Sequence, residues 1–74
     1  MAAMQKQHLV KMANQIAVNF GERRDVAEAA RKTGEHLEKF WTRDMRAQLL
    51  AHRNAGGEEL SAAVDLYLQR MTND

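Results

Sequence analysis

Seventy-four residues make one domain at most, and a chain this short buries only about 60% of the surface its unfolded form exposes, so its core is marginal unless something supplements it. Cysteine is absent, which excludes disulfides and thiolate metal sites and fits a reducing, cytoplasmic compartment. Eleven basic and ten acidic residues leave a net charge of +1, far from the one-sided basicity that marks a nucleic-acid-binding domain.

The apolar fraction of 45% is thinner than it looks. Twelve of the 33 residues counted are alanine, and only 14 are Leu, Ile, Val or Phe. A share of roughly a fifth lies near the level at which globular folding fails in highly charged chains, but this chain carries almost no net charge. The expectation is a foldable chain with a thin core that a partner completes. The composition has no proline, few aromatic or β-branched residues and many good helix formers, so the expected class is all-α, a small bundle of about four short helices. The opening "MAAMQKQHLV" lacks the apolar stretch of a signal peptide, and no run of about 18 apolar residues exists to cross a membrane. A soluble protein without a membrane partner is expected.

Leu9, Met12, Ala13, Ile16, Ala17 and Phe20 recur at helical spacing and predict a first helix over residues 5–20, with Gly21 placed to end it. A second, over 25–41, carries Val26, Ala29, Ala30, Leu37, Phe40 and Trp41 on one side, with Asp25 as N-cap. On its outer face Glu28 precedes Lys32, and Glu35 precedes Lys39, by the four residues that favour exposed ion pairs. Gly34 costs about 1 kcal/mol against alanine in a helix interior and marks a place for a kink or break. Thr42 caps a third helix, 43–53, which carries Met45, Leu49 and Leu50, with Asp44 near its positive end and His52 and Arg53 near its negative end. "NAGG" stops it. Leu60, Val64, Tyr67, Leu68 and Met71 define a fourth helix over 59–71, starting from Glu58 or capped by Ser61.

The pattern offers no catalytic, cofactor-binding or metal-binding constellation. His8, His36 and His52 lie in three segments and none belongs to an HExxH spacing. Ser61 is the sole serine and lacks the strand-turn-helix context of a nucleophile elbow. "NAGGEE" lacks the lysine and Ser/Thr of a phosphate-binding loop. Arg23, Arg24, Arg31, Lys32, Lys39, Arg43 and Arg46 are interleaved with Glu22, Asp25, Glu28, Glu35, Glu38 and Asp44, which reads as a solvated mixed-charge face; a small nucleic-acid-binding regulator is the alternative. Met4, Met12, Met45 and Met71 serve as gap-fillers in the core or as an adaptable surface. Phe40 is expected in the core against the first helix. Trp41, flanked by Arg43 and Arg46, stands evenly between core and partner contact.

Two blocks, "HLVKMANQIAVNF" at 8–20 and "GEHLEKFWTRDMRAQLLAH" at 34–52, followed by "AGG" at 55–57, resemble the small delta subunit of the cytoplasmic, NAD-dependent, molybdenum-containing formate dehydrogenases. The resemblance implies a non-catalytic accessory subunit that supports assembly or stability of the complex through contact with the catalytic alpha subunit and the other subunits. Molybdenum pterin cofactor, iron-sulfur clusters, FMN and NAD are then expected on those partners, with no cofactor on this chain. The pattern carries over to Met12, Ala13, Asn14, Gln15 and Ile16 and to Phe40, Trp41, Met45 and Arg46. Of these, Met12, Asn14, Gln15, Phe40, Trp41, Met45 and Arg46 are the expected partner interface. Family members often have an acidic residue and a proline after the tryptophan; Thr42, Arg43 and Asp44 stand here, so a threonine cap must start the third helix. Trp41→Ala or Arg46→Ala is expected to weaken association while sparing helicity.

Overall fold

The local signals for ending and starting helices act where the sequence places them. The computed structural model describes the backbone of residues 2–72 and the side chains of 7–72, and contains four helices: α1 (Ala2–Asn19), α2 (Val26–Phe40), α3 (Arg43–Asn54) and α4 (Ala62–Thr72). The side chain of Met4 lies outside the described residues. Gly21 takes φ +85°, which a side chain would resist, and lets the Glu22 N–H reach back to the Ala17 carbonyl at 3.1 Å while its own N–H bonds Val18 at 3.0 Å. "NAGG" closes α3 in the same way, with the Gly57 N–H on the His52 carbonyl at 3.0 Å. The Asp25 carboxylate accepts from the Glu28 N–H and the Thr42 hydroxyl oxygen from the Met45 N–H, both at 3.1 Å, so each helix begins at its expected cap.

The fourth helix starts later than residue 59. Ser61 is its cap, at a long 3.4 Å from the Val64 N–H, and the cap is reinforced from elsewhere: a Glu22 carboxylate oxygen accepts from the Ala63 N–H at 2.8 Å. A carboxylate there satisfies an otherwise unpaired donor and meets the positive end of the helix dipole.

Helix α2 packs most extensively on α4, while α1 lies against α2, α3 and α4. Leu9, Val10, Ala13 and Ala17 of α1, Ala29, Ala30 and Leu37 of α2, Trp41, Leu49 of α3, and Ala63, Val64, Tyr67 and Leu68 of α4 form one buried cluster. Five of these are alanine, so the helices approach closely over little side-chain volume, and the core is as thin as the composition implied. The radius of gyration, 11.2 Å, matches the value of about 11 Å expected for a folded chain of this length.

Gly34 does not break α2, which runs through it to Phe40. It is buried, and a Cβ there would stand 2.5 Å from Cδ1 and 2.6 Å from Cε1 of the Tyr67 ring. The glycine is required by the neighbour, and the helix tolerates the conformational cost because α4 covers it. Gly34→Ala would gain about 1 kcal/mol of helix propensity and lose more to overpacking, so thermal unfolding by circular dichroism should show a net destabilisation of about 1–2 kcal/mol; an unchanged or raised melting temperature would contradict this packing.

Candidate partner interface

Phe40 lies outside the core in which it was expected, and Trp41, which stood evenly between core and partner contact, lies inside it. Phe40 is 68% exposed, whereas Trp41 is 7% exposed and belongs to the core. Neighbouring helical residues diverge by about 100°, and a core this thin cannot admit two large rings side by side. The choice falls at the helix end: Trp41 leaves the helix in extended backbone (φ −95°, ψ 148°), which turns its indole inward, while its N–H still bonds the Leu37 carbonyl at 2.9 Å. Phe40, the last helical residue, is left facing water. Trp41→Ala would therefore strip a core side chain, at a cost of order 3–5 kcal/mol, and is no clean test of partner contact.

The remaining predicted residues scatter over the surface and the interior. Met12, Met45 and Arg46 are half-buried, with both methionines packed against the core, and Gln15 is exposed and donates to the Asn19 side chain at 3.2 Å. Asn14 spends its amide inside the chain: Nδ2 donates to the Glu59 carbonyl at 2.6 Å and Oδ1 accepts from the Ser61 N–H at 2.9 Å. It thus holds the α3–α4 loop where Glu59 adopts φ +65°, a left-handed conformation costing a non-glycine residue about 1–2 kcal/mol. His52 Nε2 donates to the Glu58 carbonyl at 2.7 Å and Arg53 pairs with Asp65 at 3.0 Å, so the same loop is tied down on α3 and α4 as well.

Around Phe40 the structure assembles a groove that periodicity did not anticipate. Its ring lies 4.8 Å, centroid to centroid, from His36, which meets Phe20 edge-on at 6.0 Å. His36 and Phe40 sit four residues apart, a spacing that brings side chains together on a helix, but the arrival of Phe20 from the end of α1 is a tertiary fact. Arg31, Lys32, Glu35 and Lys39 complete the lining. The expected Glu35–Lys39 pair does not form, because the Arg31 fork takes both Glu35, at 2.9 Å, and Glu28, at 2.7 Å. The Arg31 hydrogen bond holds the Glu28 carboxyl below its ordinary range. Lys32 keeps Glu28 at 3.9 Å, and Lys39 has no ion pair among the described residues.

At the junction of α2, α3 and α4 the Tyr67 hydroxyl and Arg46 Nε are buried without a hydrogen-bond partner among the described residues. Burial, aided by the Glu38 carboxylate and opposed by Arg46, pushes the Tyr67 phenol above its ordinary range. No group of three His, Cys, Asp or Glu able to hold a metal occurs among the described residues, and none of their helices is long and apolar enough to cross a membrane.

What these observations define is a small all-helical domain with a thin alanine-rich core and an aromatic groove open to solvent. Residues 8–66 match the family of the NADH-dependent formate dehydrogenase delta subunit, FdsD, and the chain belongs to that family. No curated protein and no solved structure gives a significant match.

Removing the Asn14 clamp leaves the Glu59 carbonyl and Ser61 N–H without their partner, so Asn14→Ala should lower stability by about 1–3 kcal/mol, measured by denaturant unfolding. Tyr67→Phe deletes a hydroxyl that bonds nothing, and at neutral pH should stay within about 1 kcal/mol of the parent. The parent should lose stability as pH rises above about 10, because the unfolded chain ionises its phenol there while the folded chain resists. Denaturant midpoints across that range, with phenolate absorbance followed in parallel, should show this component of alkaline loss in the parent and not in Tyr67→Phe.

Proposed function

We propose that this chain is a non-catalytic accessory subunit of an NAD-dependent formate dehydrogenase complex, supporting assembly or stability of the catalytic subunit by protein-protein contact. The observation that carries the reading is the family match over residues 8–66. The thin core supports it independently, since a helical domain that invests five of its buried positions in alanine gains from apolar surface supplied by a neighbour. The donor set supports it too: with no cysteine the chain has no thiolate to offer an iron-sulfur cluster. The molybdenum pterin cofactor, iron-sulfur clusters, FMN and the NAD site belong, on this reading, to the partner subunits, and no redox step is routed through this chain.

Tagged full-length chain should retain, from its native cytosol, a large iron-sulfur and flavin-containing assembly that reduces NAD with formate. Complex prepared from cells lacking the chain should assemble in lower yield or lose activity faster on storage. Retention should persist at raised salt, because an apolar interface lacks the steep salt dependence of phosphate binding. Recovery of nucleic acid released by salt, or of a complex equally abundant and durable without the chain, would refute the proposal.

A further inference from the structure

We infer that the Phe20–His36–Phe40 groove is the seat of an apolar segment flanked by carboxylates on a larger subunit of the complex. This rests on the accessory-subunit reading and names the surface through which it acts. Phe40 is the most exposed large apolar side chain among the described residues, at 68% against 37% for Val18, Val26 and Met71. In a chain with two phenylalanines and one tryptophan, leaving one in water while alanines fill the core is a poor use of apolar area unless something covers it. The ring is also held in place. His36 lies tilted against it and is itself met edge-on by Phe20, and the backbone beneath it is fixed by the Trp41 N–H on Leu37 and by the buried indole one residue on. A pre-ordered aromatic surface loses little entropy on binding, which is why such residues dominate interface energetics.

Charge selects the occupant. Arg31 is neutralised by Glu28 and Glu35 and Lys32 is partly answered by Glu28, so Lys39, beside Phe40, is the cation of the groove lining that forms no ion pair among the described residues. A partner bearing carboxylates beside an apolar side chain meets both features at once. A second copy of this chain docked about a two-fold axis would set Lys39 against Lys39, which disfavours a symmetric dimer through the groove. A phosphate backbone is met by several cations along its length, and the groove has one without an ion pair, which disfavours nucleic acid.

The test uses purified full-length chain and formate dehydrogenase purified from cells lacking it, titrated at low and raised salt. Phe40→Ala should weaken binding by roughly tenfold or more. Lys39→Glu should weaken it chiefly at low salt. Val26→Ala, an exposed apolar truncation about 20 Å away at the other end of α2, should bind like the parent. Since Phe40 is exposed, its truncation should keep the parent's helical circular dichroism, so lost binding reads as lost contact. Parent and Phe40→Ala binding with equal affinity would overturn this inference and leave the accessory role standing. A parent chain that does not bind the enzyme at all would overturn the accessory role itself, and the inference with it. Dimers of the parent that Phe40→Ala dissolves in sedimentation equilibrium, or an oligonucleotide retained by the parent and released by Lys39→Glu, would reassign the groove to a second copy or to phosphate.

Discussion

The close approach of α2 to α4 at Gly34 is the constraint on which the rest of the packing depends. Tyr67 lies against the one position of α2 that has no Cβ, and the ring occupies the space that any side chain there would need. Alanines at 29, 30 and 63 are buried in the same cluster, so these helices meet over short side chains. Short distances suit a chain with few Leu, Ile, Val and Phe, because dispersion contacts between closely packed small groups partly replace the area that large side chains would bury. Tyr67 then supplies the bulk. Its phenol body fills the interior while its hydroxyl is left without a partner, a cost the fold accepts for the volume of the ring.

What the sequence revealed was what is decided locally. Asp25, Thr42 and Gly21 act within four residues of themselves, and their roles could be read from residue type and position. The apolar spacing likewise gave the number and order of the helices, and the all-helical class. The break suggested at Gly34 did not arise, because a glycine signals permission and only the neighbouring helix reveals that the permission is for proximity. The partners of Asn14 and Glu22 lie more than 40 residues away in sequence, and no spacing rule reaches that far.

The site was legible in composition and not in assignment. "KFW" marked the right place, but which ring goes inward depends on one residue's backbone leaving the helix, and that is fixed by tertiary packing around Trp41. The ion pairs behaved similarly. Glu35 had three basic residues within helical reach, Arg31 and Lys32 before it and Lys39 after it, and the planar guanidinium can serve two carboxylates where an ammonium makes one point contact. The outcome is that a charge counted as paired in the sequence becomes available beside the exposed phenylalanine. The family match places the chain among the delta subunits of NADH-dependent formate dehydrogenases.

The polar joint at the start of α4 has a consequence for how the chain acquires its shape. The first turn of α4 is capped by Glu22, and its preceding loop is held by Asn14, both on the far side of two intervening helices. Helices α2 and α3 carry their own N-caps, whereas α4 finds its full complement only by reaching back to Asn14 and Glu22. Closing so long a loop costs more entropy than forming a local turn, so docking of α4 is expected to follow formation of the local caps. Until it occurs, the face of α2 around Gly34 stays uncovered, and the first three helices present an open seam to the eleven-residue α4.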